Sequence, residues 1–124
     1  MTQLALEDVL DTATLQQYVE VIGYDKFLQS VSLFEKLAPT YLEKLNASAA
    51  IEDAVSIAQQ AHQLKGASGS IGLLRIQKHT QKLQDHSTPE WHKNHLKWIV
   101  QMTLDLEHDL KILRAYLKEQ LAKI

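Results

Sequence analysis

The chain contains no cysteine. That excludes disulfide scaffolds, thiolate metal centres and cysteine nucleophiles, and it is compatible with a reducing compartment. Glycine and proline are scarce, at 4 and 2 residues in 124, so the chain is neither collagen-like nor a disordered linker. No apolar run approaches the roughly 18 residues of a membrane span. The start Met1-Thr2-Gln3-Leu4 lacks the basic flank and long apolar stretch of a signal peptide. An excess of one charge is missing too: 13 Lys and Arg stand against 15 Asp and Glu, a formal net charge of -2. Such a balance offers no general attraction to nucleic acid or to anionic lipid. A single domain over residues 1–124, cytoplasmic and monomeric, is the expectation, and the length excludes a complete kinase.

What is present is hydrophobic residues, 45% of the chain, recurring at three- and four-residue intervals with no long strand-like alternation. The pattern predicts an all-α fold. A short segment around Leu15 to Ile22 ends at Gly23, and a stripe follows through Phe27, Val31, Phe34, Ala38, Tyr41 and Leu45, bent but not ended at Pro39. Asn46, Ala47 and Ser48 are expected to turn the chain into a stripe of Ala50, Ala54, Ile57, Ala61 and Leu64. The next helix carries Leu73, Ile76 and Leu83, and Ser87-Thr88-Pro89 reads as the cap of a last, long one through Trp91, Trp98, Ile99, Met102, Leu106, Leu110, Leu113, Leu117 and Leu121. Four such helices with short connections stack as an antiparallel four-helix bundle, the short N-terminal accessory helix covering one end.

His62 does not fit the buried stripe. At about 100° per residue it points roughly 120° away from the centre of its helix's apolar face, on a face of short side chains that includes Ala58 and Gly66. Each Cβ tilts toward the helix N-terminus, so the residue at i+4 leans over residue i, and Gly66 removes that shadow from His62. Lys65, at i+3, leans the same way and can bring an ammonium to an anion on the imidazole. A glycine inside a helix costs roughly 1 kcal/mol against alanine, so Gly66 needs a local reason. An exposed imidazole with clear approach and a nearby cation suits a phosphoryl acceptor, for which position, approach and positive charge are the main requirements. No G-x-x-x-x-G-K-S/T loop is present, so the phosphoryl donor must be another protein.

The stretch His62-Gln63-Leu64-Lys65-Gly66-Ala67-Ser68-Gly69-Ser70-Ile71-Gly72 resembles the histidine-containing phosphotransfer motif, H-x-[IL]-K-G-x-[SA]-x-x-x-G. Leu15-Gln16-Gln17-Tyr18, Phe34-Glu35-Lys36 with Pro39, Trp98-Ile99 and His108-Asp109 are similar to the C-terminal phosphotransfer domain of Arc-type hybrid sensor kinases. The resemblance implies a phosphorelay intermediate that takes a phosphoryl group from a receiver aspartate of a hybrid sensor kinase and passes it to a response-regulator receiver. By position it implies that His62 accepts the group, that Lys65 faces the phosphate, that Gly66 gives clearance, and that Gln84 lies beside the histidine from the next helix. No cofactor is implied for this chain. Magnesium is expected on the receiver, since no acidic cluster lies near His62. No kinase core or receiver accompanies the domain within the sequence, a departure from the hybrid kinases that leaves its donor unidentified.

Plainer readings stand beside these. Gly69 and Gly72 serve to end a helix and turn the chain. Gln84 reads equally well as a polar residue on a solvated face, and His79 and His108 as surface residues. His86, His92 and His95 offer closely spaced imidazoles, the basis for a metal-dependent hydrolase as a rival, but no carboxylate or thiolate completes a site. The leucine run to Leu121 could be a dimer seam, though closing a bundle requires the same pattern. A helical interaction module without chemistry is the remaining alternative.

Overall fold

The computed structural model describes residues 4–122, in which the chain is helical and strands are absent. Met1–Gln3, part of the segment weighed as a signal peptide, lie outside the described residues. A one-turn helix α1 (Leu6–Val9) leads into α2 (Thr12–Ile22), which is capped by the Asp11 carboxylate accepting from the Thr14 amide. Four bundle helices follow: α3 (Tyr24–Ala50), α4 (Ala54–Gly69), α5 (Leu74–Gln84) and α6 (Pro89–Tyr116), the last continuing into a π-helical turn over Leu117–Leu121. α4 packs between α3 and α5, and α6 packs on α5 and α3, so α4 and α6 lie diagonally across the bundle.

The expected stripes fill the core. Phe27, Val31, Phe34, Ala38 and Leu45 of α3 meet Ile57, Ala61 and Leu64 of α4, Ile76 and Leu83 of α5, and Ile99, Met102, Leu106 and Leu113 of α6, all buried. α3 is continuous through Pro39. An interior proline costs about 3 kcal/mol, and burial of apolar side chains on both sides, at about 1.5–3 kcal/mol each, offsets it.

Two expectations fail at the α3–α4 connection. Asn46, Ala47 and Ser48 do not turn the chain, because Asn46 Nδ2 donates to the Leu42 carbonyl at 2.8 Å and Ser48 Oγ to the Lys44 carbonyl at 3.0 Å. Both side chains bond back along the helix instead of competing with it. Ala50 therefore closes α3 as an exposed residue and is not part of the α4 stripe. The turn lies at Ile51–Asp53, where Glu52 takes φ 53° and Asp53 caps α4 through the Ser56 amide.

The accessory helices seat at the end of the bundle where α4 turns into α5. Gly72 has φ 76° there, and a Cβ on it would lie 2.7 Å from the Leu15 side chain. Glycine is required twice, by conformation and by the fully buried Leu15 above it. The Asp11 amide donates to the Gly72 carbonyl at 3.0 Å.

Arg75 of α5 reaches the fully buried Asp109 of α6, donating through Nε at 3.0 Å and through its terminal nitrogen as well. The hydrogen bond to Asp109, with the charges of Asp109 and Asp105, raises the guanidinium's pKa despite burial. His79 is not an ordinary surface residue. Its Nε2 lies 2.7 Å from Asp105 Oδ2, and its side chain is 16% exposed. His108, by contrast, is exposed as expected, its Nδ1 lying 3.2 Å from Asp109.

Candidate functional site

α4 carries His62 on its outer face, exposed, while Ala61 and Leu64 on either side of it are buried. The phase of the apolar stripe alone sets this orientation. Gly66, one turn on, is exposed, and a Cβ built there meets nothing within 4 Å. The glycine is therefore not demanded by packing, and the approach to His62 from that side is open.

α5 runs antiparallel to α4, and the register between them assembles the site. Gln84, the last residue of α5, places its amide Nε2 2.8 Å from His62 Nδ1. One turn further along α4, Lys65 Nζ donates to Gln81 Oε1. One turn beyond that, Gly69 lies against Gln77, whose Nε2 would sit 2.5 Å from a Cβ at that position. That contact is with the end of a flexible side chain, so Gly69 gives room to Gln77 beside its place at the end of α4. With no anion at the imidazole, the Lys65 ammonium is held by the Gln81 carbonyl oxygen. Gln81 was not singled out by sequence, since only the interhelical register reveals it.

A cavity of about 430 Å³ opens beside the imidazole, lined by His62 and Gln84 with Val55, Ala58, Gln60 and His86 among its other walls. Neither a carboxylate nor Lys65 contributes to the lining. The buried Oε1 atoms of Gln84 and Gln60 both lack a hydrogen-bond partner. The other histidines do not gather around a metal: among the described residues no group of three or more His, Asp or Glu side chains is placed to hold one. They surround Trp91 instead, with His95 stacked at 4.2 Å and 5°, His92 edge-on at 5.0 Å and His86 edge-on at 6.1 Å. The indole in turn donates to the Leu83 carbonyl at 2.9 Å, which fixes the end of α5 next to Gln84.

A family model, the Hpt domain, matches residues 29–122, the span that includes exposed His62 on α4 and open Gly66 one turn on. The chain belongs to the Hpt domain family. It is 32% identical over 117 residues to the aerobic respiration control sensor protein ArcB of Escherichia coli K12, and to the same degree to ArcB of Shigella flexneri. The match covers 94% of this chain but 15% of ArcB. The solved histidine-containing phosphotransfer domain of E. coli ArcB superposes with a TM-score of 0.87 at 33% identity, covering 91% of this chain and 96% of that one. Its solution structure gives 0.85, again at 33% identity. The Hpt assignment supports a histidine phosphotransfer role in a two-component phosphorelay. Among the described residues, no helix is long and apolar enough to cross a membrane.

Proposed function

We propose that this Hpt chain carries a phosphoryl group on His62 between the aspartates of two receiver domains, one from a hybrid sensor kinase and one from a response regulator. The kinship with ArcB favours Arc-type partners. The observation that carries the reading is the Gln84 amide 2.8 Å from His62 Nδ1, which leaves Nε2 as the ring nitrogen free to meet an incoming phosphorus.

The Gln84 amide can meet Nδ1 in either of two orientations. With Gln84 Nε2 donating, Nδ1 accepts and the neutral ring keeps its proton on Nε2. A half-turn of the amide brings Oε1 to the same place, where it accepts from Nδ1–H and frees the Nε2 lone pair. That turn gives the buried Gln84 oxygen the partner it otherwise lacks. Nε2 then attacks the aspartyl phosphate in line. The P–N bond forms, the P–O bond to the aspartate breaks, and the carboxylate leaves with the electron pair. Reversal onto a second receiver completes the relay.

Charge at the phosphoryl group is supplied chiefly by the receiver, which is also where magnesium belongs, since the cavity lining holds no carboxylate to bind it. Lys65 contributes once it leaves Gln81. The chain has no ATP-binding loop and acts as an intermediate without kinase activity, in the cytoplasm with its receivers. Docking uses the face around Gly66 and Ala58, together with the apolar groove of Leu33, Leu37, Tyr41 and Ala67 between α3 and α4. Incubation with a phosphorylated receiver tests the whole reading. Acid-labile, base-stable label is expected on the wild type and none on folded His62→Gln, and label on that variant would refute it.

A further inference from the structure

The outer face of α6 carries an apolar stripe that no other part of the bundle covers. Leu96, Val100 and Leu104 are 55%, 62% and 61% exposed. Their four-residue spacing puts them on one side of the helix, with Val100 about 160° from Met102 of the core at 100° per residue. Lone exposed leucines are ordinary, but three in register form a seam about 12 Å long.

One pair of the charges flanking the seam is self-complementary, whereas Lys97 faces Thr103 under the same symmetry. Lys93 and Glu107 are both exposed, each seven residues from Val100 and within about 20° of it around the helix. Laying a second copy of α6 antiparallel across a two-fold axis at Val100 sets Val100 on Val100, Leu96 on Leu104 and Lys93 on Glu107, each of the last two pairs occurring twice. A parallel arrangement would instead oppose lysine to lysine and glutamate to glutamate. We propose that the chain self-associates through this face into an antiparallel, two-fold symmetric dimer. α4 lies diagonally across the bundle from α6, so both His62 sites stay open in the dimer, and the proposal stands independently of what His62 does. A seam of this length is short against the roughly 1,200 Å² of a stable interface, so association is weak.

Because the chain has no cysteine, single introduced thiols give a direct test. Val100→Cys sits on the symmetry axis and should form a disulfide-linked dimer under mild oxidation, at least tenfold faster than Leu96→Cys alone. Two copies of Leu96 are offset by about 12 Å along the helices, beyond the roughly 7 Å that a disulfide tolerates between Cα atoms. Mixing Leu96→Cys with Leu104→Cys should restore fast cross-linking. Sedimentation of the wild type should show a dimer growing in by about 1 mM, weakened by Lys93→Glu and recovered when Glu107→Lys is added. A wild type that remains monomeric at that concentration, or equal cross-linking of Val100→Cys and Leu96→Cys alone, would overturn the proposal.

Discussion

Replacing Gly66 by alanine should make the protein more stable and a poorer phosphoryl acceptor at once. The site is helical and exposed, and the added methyl meets nothing within 4 Å, so the substitution contributes helix propensity without strain. Alanine gains about 1 kcal/mol over glycine in a helix interior. For a chain of 124 residues, the unfolding entropy per residue converts that to a rise of about 4 °C in Tm. The same methyl leans toward the N-terminus over His62, into the path of a receiver's aspartyl phosphate. A slowing of about tenfold corresponds to about 1.4 kcal/mol of barrier, and Gly66→Gln, with a longer side chain at the same place, should slow transfer further. Thermal unfolding by circular dichroism reads the first effect, and rapid-quench transfer from a phosphorylated receiver at saturating concentration reads the second. Raised Tm with unchanged transfer in both variants would refute clearance as the reason for the glycine.

Gln84→Ala should leave the fold intact and slow transfer by about tenfold through loss of Nδ1 positioning, and nitrogen-15 shifts of the His62 ring should report a change in tautomer ratio; an unaltered ratio counts against the role. Lys65→Ala should reduce transfer by tenfold or less, since the ammonium is exposed and partly screened, whereas Gln81→Ala should speed transfer by releasing Lys65, and salt should diminish both effects. Arg75→Ala should destabilise by about 3–5 kcal/mol because it strands the buried Asp109 carboxylate, measurable by urea unfolding. The raised Arg75 pKa belongs to a guanidinium that is charged in both folded and unfolded states at every ordinary pH. Its stabilisation is present at lower pH and lost only as pH rises through the folded value, so Arg75 adds no pH dependence to stability between pH 5 and 9.

Helical phase explains which parts of this molecule are legible in its sequence. The orientation of His62 follows from the stripe on its own helix, as does the openness at Gly66, because both are properties of one element. The capping of α6 at Thr88, whose Oγ1 accepts from the Trp91 amide at 3.1 Å, is local in the same sense. What escapes a reading along one chain is the lateral register. Gln84 is tied to His62, Gln81 to Lys65 and Gln77 to Gly69 only because the α4–α5 turn closes at Gly72 with the conformation it has. His79 reads as a surface residue along the chain because its partner, Asp105, lies on another helix. α1 is a single turn, too short to show a period. The misplaced α3–α4 turn has a different cause: asparagine and serine end helices when their side chains compete for the backbone, and here both reach back four residues to continue one.

The lateral register also determines the resting electrostatics of the site. If Lys65 stood free beside the imidazole, the domain would present a permanent cation to any anion of suitable size. With its ammonium on Gln81 and no Asp, Glu, Lys or Arg in the cavity walls, the approach to His62 carries no fixed charge until a partner docks. On the proposed reading, a receiver's phosphoryl group brings the negative charge that can draw Lys65 from a neutral amide, an exchange that favours the ion pair only where docking has excluded water. On that reading, selectivity for a phosphorylated receiver over free phosphate would come from the same glutamine row that contacts the imidazole. Releasing Lys65 with Gln81→Ala should therefore raise labelling by small phosphoryl donors more than transfer from a receiver.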